Sequence, residues 1–391
     1  MSVAAKQAVA IVIDRVLSPV VGINSANTSR ALANAALNPH PQVTQLFPAE
    51  SYSLASPKSV QSMVDEIEHD AQIQTHPVSI TDAAHARVFF NGQKCLVKAA
   101  DGDVVAQYNV DDATSESVTN KPCRRLQGTT MLLGFSSGAN CYYHWLLDVL
   151  PRLGALQKAG IKLDEVDQFL VRNTNNAFQV ETLAALGIKD DRVVHTHKKP
   201  HWHCDRLLQV NMSNGINMKM HRFVPAWLKH AFSTGSRNLD TDPIKLYVNR
   251  PKGVRRGISN EQALLPILEE FGYQIRPMEG LSFADQVKLM SGVDVLLSAH
   301  GGALSNMVFC RPGIRVGEVF GHHVYPYYYG LSQLCGHDYH VLMKDQSLYP
   351  QAVQLQSALR AGSYEAQLKT VTTDFEVDTG DFRLMLEALE A

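Results

Sequence analysis

No single charge dominates this chain. Its 391 residues carry 36 Lys and Arg against 38 Asp and Glu, a formal net charge of -2, so the global cationic field behind nonspecific nucleic-acid binding is missing and any anion site must be local. The six cysteines, Cys95, Cys123, Cys141, Cys204, Cys310 and Cys335, contain no C-x-x-C pair. Their scatter argues against a disulfide framework or a thiolate zinc site and predicts reduced thiols in a cytoplasmic protein. Long apolar runs are missing near the start: the stretch 8–13 is interrupted by Asp14 and Arg15, well short of the roughly 20 residues that span a bilayer. An amphipathic helix is expected there, not a signal peptide or a transmembrane anchor. A G-x-G-x-x-G fingerprint is absent too, which weakens a dinucleotide reading.

What remains is ample for a large core: 45% of residues are apolar and 19% charged, and the length suggests two or three domains. Residues 1–75 read as a weakly helical N-terminal extension, with a helix near 59–69. Between 77 and 110, short β-rich runs (ARVFF at 86–90, QKCLV at 93–97, VVAQY at 104–108) are separated by Asn91-Gly92 and Asp101-Gly102, which read as hairpin turns. From residue 131 the pattern alternates: strand 131–135, helix 142–153, strand 168–171, helix 177–186, strand 192–195. A turn-rich stretch ending near 238 reads as a linker. The second series is strand 245–248, helix 261–271, strand 273–276, helix 283–291, strand 293–298, a helix from Ala303, and strand 315–320. The alternation predicts an α/β protein with parallel sheets and two Rossmann-like domains, 76–238 with a β-rich start and 239–391, the last helices packing back on the first domain.

Three patterns carry chemistry. The run VDVLLS at 293–298 leads into AHGGALSN at 299–306. A strand, a glycine turn and a helix N-terminus converge free backbone N–H groups and the helix dipole on one point, an anion cradle. Gly301 and Gly302 would admit a phosphate to the backbone, and His300 and Asn306 could donate to phosphate or ribose. The alternative is a tight turn without ligand. The second pattern, YVNRPKGVRRGISN at 247–260, crowds Arg250, Lys252, Arg255 and Arg256 at the carboxyl end of a strand, where open α/β sheets bind ligands. A solvated charge run is the alternative.

In the third pattern, NCYYHWLLDVLPRL at 140–153, a helix would place Asn140, His144 and Asp148 on one face. Asp148 could then fix the His144 tautomer and make it a general base. Asp148 is also four residues from Arg152, and Pro151 cannot donate to the carbonyl of Leu147, so the helix is expected to kink or end there. A satisfied core histidine remains the other reading of His144. His195, His197, His201 and His203 with Cys204 could suggest a metal site, but Lys198, Lys199 and Pro200 between them read as an exposed turn. Glu318, near the end of a strand, could accept from ribose hydroxyls, and the aromatic stretch 321–329 could stack on a base or a sugar or simply pack.

In this order the three patterns resemble glycosyltransferase family 61, the capsular-polysaccharide type of the two-domain GT-B fold, over roughly residues 130–335. The matching features are YHWLLDVLPRL at 143–153, the basic loop leading to Ser259-Asn260-Glu261, and HGGALSN at 300–306 with Phe309, Pro312-Gly313 and Glu318. Gly302-Ala303, where such proteins usually read Ala-Gly, and Gly317, in place of a bulkier residue, depart from the pattern. The resemblance implies two domains facing a cleft. It also implies inverting, metal-independent transfer from a nucleotide sugar, commonly UDP-linked, to a saccharide or other hydroxyl acceptor, with no cofactor. That matches the absence of a D-x-D motif near the cradle. His144 and Asp148 would be catalytic; Asn140, Tyr143 and Trp145 would lie on the acceptor side. The donor would be held by Asn249, Arg250, Lys252, Arg255, Arg256, His300, Gly301, Gly302, Ala303, Asn306 and Glu318. A cytoplasmic or membrane-peripheral location is expected, and a role in bacterial surface glycans. A sugar-nucleotide epimerase or hydrolase, or a non-catalytic sugar-nucleotide binder, would use the same architecture.

Overall fold

A computed structural model of the chain describes residues 40–59, 72–91, 94–102, 104–108, 123–134, 140–198, 201–212, 220–233, 243–250, 256–321, 327–343 and 374–391. Most of the helical extension expected over 1–75, its helix near 59–69 included, and residues 234–238 of the expected linker lie outside the described residues; where the extension is described it forms strands instead, Gln42–Phe47, Ser51–Ser53, Lys58–Ser59 and Gln72–Gln74. The chain divides into two compact units, one of residues 1–49 with 76–213 and one of Glu50–Thr75 with Asn214–Ala391.

The first unit is built on one sheet. Its described strands run in the order Val193–His195, Gln168–Val171, Arg124–Gly134, His201–Asn211, Val78–Asn91, Lys94–Lys98 and Val104–Tyr108, with Gln42–Phe47 also paired to Val78–Asn91. The first four are parallel. From His201–Asn211 onward the pairing is antiparallel. The β-rich start and the α/β part expected from sequence are thus one mixed sheet and not a doubly wound parallel one. Asn91 pairs with Lys94 where Val78–Asn91 and Lys94–Lys98 meet, Gly92 lying outside the described residues, and Gly102, at φ 95°, turns the next hairpin with its N–H donating to the carbonyl of Ala99. Leu126, Leu132, Leu170, Cys204 and Leu207 are completely buried or nearly so in its core.

The second unit holds a sheet in the order Gln274–Ile275, Ile244–Val248, Val293–Ala299, Arg315–Phe320, Asp338–Met343 and Lys58–Ser59, every pair parallel. All five strands of the C-terminal part keep this parallel pattern because helices connect them. Ser282 starts one such helix, Phe283–Ser291, by accepting from the N–H of Asp285 at 3.1 Å. The apolar run 293–299 is buried on both sides, as a central parallel strand should be.

On one face lie Glu261–Glu270 and the C-terminal helix Thr379–Glu390, whose Phe382, Met385, Leu386 and Leu389 share a cluster with Val295, Leu297 and Val319. A Cβ on Gly317 would meet Leu297, Met385 and Leu389 at 2.8–2.9 Å. The departure to glycine there lets the C-terminal helix press on the sheet. On the other side, Phe232, Phe283 and Phe309 meet edge to face, each pair worth about 0.5–1.5 kcal/mol beyond its burial.

Segment 50–75 adds the outermost strand of this sheet. Tyr52 Oη donates to the carbonyl of Met220 at 2.7 Å, Tyr329 Oη to that of Ala55 at 2.5 Å, and Lys58 Nζ to Asp338 at 2.6 Å.

Candidate functional site

In the second unit the strand order reverses between Ile244–Val248 and Val293–Ala299, which neighbour each other while their following strands lie on opposite sides. At such a switch point two loops diverge and leave a crevice at the carboxyl ends of the strands. Ser298 Oγ pins the two ends together by donating to the carbonyl of Val248 at 2.9 Å. Asn249 and Arg250 follow the first strand, His300 and Gly301 the second.

Arg250 Nη2 donates to the carbonyl of His300 at 2.6 Å. Its guanidinium occupies the space beside Gly301, where a Cβ would come within 1.7 Å of Nη2. The glycine therefore admits an arginine; direct phosphate approach to that atom was the expectation. Burial first, and then the charge of Arg256, push Arg250 below the usual guanidinium value. Arg256 is a non-glycine residue at φ 64°, a left-handed conformation costing about 1–2 kcal/mol, and its turn is held by Gly257, whose N–H donates to Asp374 Oδ1 at 2.7 Å. Lys252 and Arg255 lie outside the described residues. Asn249 Oδ1 is a buried acceptor with no partner among the described residues.

Gly302 opens a 3-10 helix, Gly302–Phe309, in place of the expected α-helix. Leu304 N–H reaches back to the carbonyl of Gly301 at 3.0 Å, leaving the first amides, those of Gly302 and Ala303, at the turn with no intrahelical acceptor. Asn306 is fully buried and donates to Gln286 Oε1 at 3.0 Å, so it supports the helix from behind.

Glu318 is 0% exposed and both its oxygens are engaged. Oε1 lies 2.5 Å from His300 Nδ1, and Tyr339 Oη donates to Oε2 at 2.5 Å. Its side chain faces the interior next to His300, which corrects its expected contact with ribose. Burial drives the Glu318 carboxyl well above its ordinary value, against the opposing effect of the Tyr339 hydroxyl. The His300 imidazole is pushed well below its ordinary value by burial, then by Arg256 and Arg250. Both directions favour neutral partners sharing one proton. Tyr339, which no local sequence pattern marks, completes the group; Phe320 stacks on the His300 ring at 5.1 Å, and Tyr328 leans on it at 5.4 Å.

Ser259, Asn260 and Glu261 do structural work. Asn260 exchanges two hydrogen bonds with the backbone of Val377, at 2.7 and 3.0 Å, Ser259 Oγ donates to Phe375, and Glu261 accepts from Tyr247 Oη at 2.8 Å.

In the first unit, Tyr142–His144 begins a helix that passes into a π-helical turn, Trp145–Val149, and resumes as Pro151–Lys158. Pro151 supplies no N–H to the carbonyl of Leu147, and the chain answers with a wider turn in which Leu150 N–H bonds to the carbonyl of Trp145 at 3.0 Å. Such single π turns concentrate at functional sites. Within it, His144 Nδ1 donates to Asp148 Oδ2 at 2.6 Å, the two side chains being 44% and 29% exposed. Arg152 Nε donates to the main-chain carbonyl of Asp148 at 3.0 Å, so the Asp148 carboxylate holds the imidazole.

Tyr143 is buried, Asn140 is exposed, and Trp145 is 0% exposed with Nε1 donating to Thr182 at 2.9 Å. Trp145 is thus a core anchor of the helix. His195 pairs with Thr174 and His197 with the carbonyl of Arg172, while His201 and His203 stack on Phe89 and His85. Among the described residues no three His, Cys, Asp or Glu side chains gather as a metal site, and no helix is long and apolar enough to cross a membrane.

No curated protein matches the chain. One family model does: that of Glycosyltransferase 61, over residues 142–317. The matched stretch holds the His144–Asp148 pair, the basic loop and the glycine turn, and over it the chain is similar to glycosyltransferase family 61.

Proposed function

We propose that the protein is an inverting, metal-independent transferase that moves a sugar from a nucleotide diphosphate donor, UDP-linked by family resemblance, to a saccharide or other hydroxyl acceptor. The observation that carries the donor half is Arg250 seated against Gly301 in the glycine turn at the switch point, with the like charge of Arg256 disfavouring its own. A diphosphate relieves that repulsion, and two guanidinium groups with the amides of Gly302 and Ala303 stabilise charge on a departing diphosphate. Asn249 Oδ1, a buried acceptor, suits a hydroxyl or N–H of the nucleoside.

His144, oriented by Asp148, is the base of this reading. Its Nε2 takes the proton of the acceptor hydroxyl, the hydroxyl oxygen bonds to the anomeric carbon, and the bond from that carbon to the diphosphate breaks with its electron pair going to the diphosphate. The two units then correspond to the acceptor-side and donor-side halves of the GT-B arrangement implied by the resemblance. Calorimetry with UDP tests the donor half: wild type binds and Arg250→Ala does not. Absence of binding by any nucleoside diphosphate at millimolar concentration to wild type rejects it. Donor turnover without acceptor would favour a hydrolase or epimerase instead.

A further inference from the structure

We propose that the loop between Gln168–Val171 and the helix Ala177–Ala185 in the first unit is a saccharide subsite, in which Asn173 accepts from a sugar hydroxyl and Tyr142 and Phe178 take the apolar face of the sugar ring. The inference deepens the reading of that unit as the acceptor side and rests on it. Gln168–Val171 lies between two parallel neighbours, Arg124–Gly134 and Val193–His195, so the loop leaves the carboxyl end of an inner parallel strand, where such sheets receive ligands. Neighbouring polar groups fix its shape. The carbonyl of Arg172 accepts from the main-chain N–H and from Nδ1 of His197 at 3.2 and 2.8 Å, the carbonyl of Asn173 accepts from Gln179 Nε2 at 3.2 Å, and Thr174 Oγ1 lies 2.9 Å from His195 Nε2. Gln179 Oε1 receives both the main-chain N–H and Nδ2 of Asn176, at 3.0 and 3.3 Å.

One group in this pinned loop is left over. Asn173 is 6% exposed, and its Oδ1 has no hydrogen-bond partner among the described residues. A buried acceptor without a donor is costly, and a hydroxyl relieves it where a phosphate or carboxylate oxygen does not. Asn249 Oδ1 stands the same way just past Ile244–Val248 in the second unit, so both sheets leave an amide oxygen unpaired at the end that takes ligands. Thr174 and Asn176 are half-buried and Asn175 is exposed, so the loop opens to solvent beside the amide. The rings stand at the same edge. Asn176 Nδ2 donates to the carbonyl of Asn140 at 3.4 Å, and Tyr142 and Phe178, both half-buried, meet edge to face at 5.1 Å. Tyr143 and Trp145, expected on the acceptor side, are buried; the aromatic surface of this edge comes from Tyr142 and Phe178 instead. Ring surface beside a few fixed amides matches a sugar, whose C–H face is apolar and whose rim is hydroxyl. Asn140 precedes His144 by four residues, about one helical turn, so the subsite adjoins the segment that carries the base.

Saturation-transfer NMR and calorimetry on the full chain, with the methyl glycosides of glucose, galactose, xylose and N-acetylglucosamine and with UDP run alongside, test the subsite. At least one glycoside should bind wild type at millimolar concentration. Asn173→Leu, which keeps the side-chain volume and removes the acceptor, should bind that glycoside about tenfold more weakly. Phe178→Leu, which stays apolar and loses the ring face, should weaken it by about the same factor. Both variants should bind UDP like wild type, a selectivity that general destabilisation would not produce. Unchanged glycoside affinity in Asn173→Leu assigns the amide to the fold, with a buried water as its donor, and overturns the proposal, as does a panel in which no glycoside binds. Should Asn173→Leu fail to fold, Phe178→Leu decides by the same measure. Glycoside binding without UDP binding removes the donor site and leaves the subsite standing; UDP binding without glycoside binding does the reverse.

Discussion

The guanidinium of Arg250 lies where a side chain on Gly301 would begin, 1.7 Å from the position of a Cβ. Gly301→Ala must therefore expel Arg250 from its bond to the carbonyl of His300. We expect UDP affinity to fall about tenfold or more, with a stability loss of roughly 1–3 kcal/mol typical of overpacking, measured by calorimetry and thermal denaturation. Unchanged affinity would show that Arg250 is not part of the anion site.

Arg250→Lys keeps the charge but loses the planar fork that spans the carbonyl of His300 and a phosphate at once. The variant should fold like wild type and bind UDP about tenfold more weakly. Isothermal titration at fixed salt checks it, and wild-type affinity would mean that a point charge suffices.

For the His144–Asp148 pair, the expected signature is a split. His144→Ala should lower kcat by about two to four orders of magnitude with little change in UDP affinity, since the pair belongs to the first unit and the basic turn to the second. Asp148→Asn should lower kcat less, through loss of imidazole orientation. Steady-state kinetics with a responsive donor and acceptor provide the readout; a loss confined to UDP binding would remove His144 from the role of base.

His337 gives a stability prediction. Burial holds it neutral down to about pH 4, while Nε2 donates to the carbonyl of Met307 at 3.0 Å. Its folded value lies below the unfolded 6.5, so its contribution is intact above about pH 6.5 and is lost as pH falls toward 4, on the order of 3 kcal/mol in full. His337→Gln, which keeps a donor and cannot titrate, should flatten the fall in melting temperature over that window. A curve parallel to wild type would contradict this.

Much of the second unit was legible because its strands are short apolar runs between periodic helices: the segments 283–291 and 315–320 stand where periodicity puts them. The site was legible only as a neighbourhood. Glu318 was assigned to ribose because it stands near a strand's carboxyl end, but alternation along the strand turns it inward, and Tyr339 on the next strand has no local signal linking the two. Gly301 was read as room for a phosphate, whereas the room is taken by a side chain 51 positions earlier. Pro151 announced a break near Asp148, yet whether a helix ends, kinks or widens there depends on how Trp145 is anchored by Thr182, 37 residues away. The exchange of segment 50–75 into the second unit had no sequence signature, because two residues of strand are too few to show a pattern.

That exchange governs how the protein can be divided. A single cut after Ser213 would not release two whole units, since the downstream fragment would lack the outermost strand of its sheet and the tyrosine that seals Met220. An independently folding second unit would have to carry residues 50–75 grafted by a linker to Asn214, and the first unit would need Ala49 rejoined to His76.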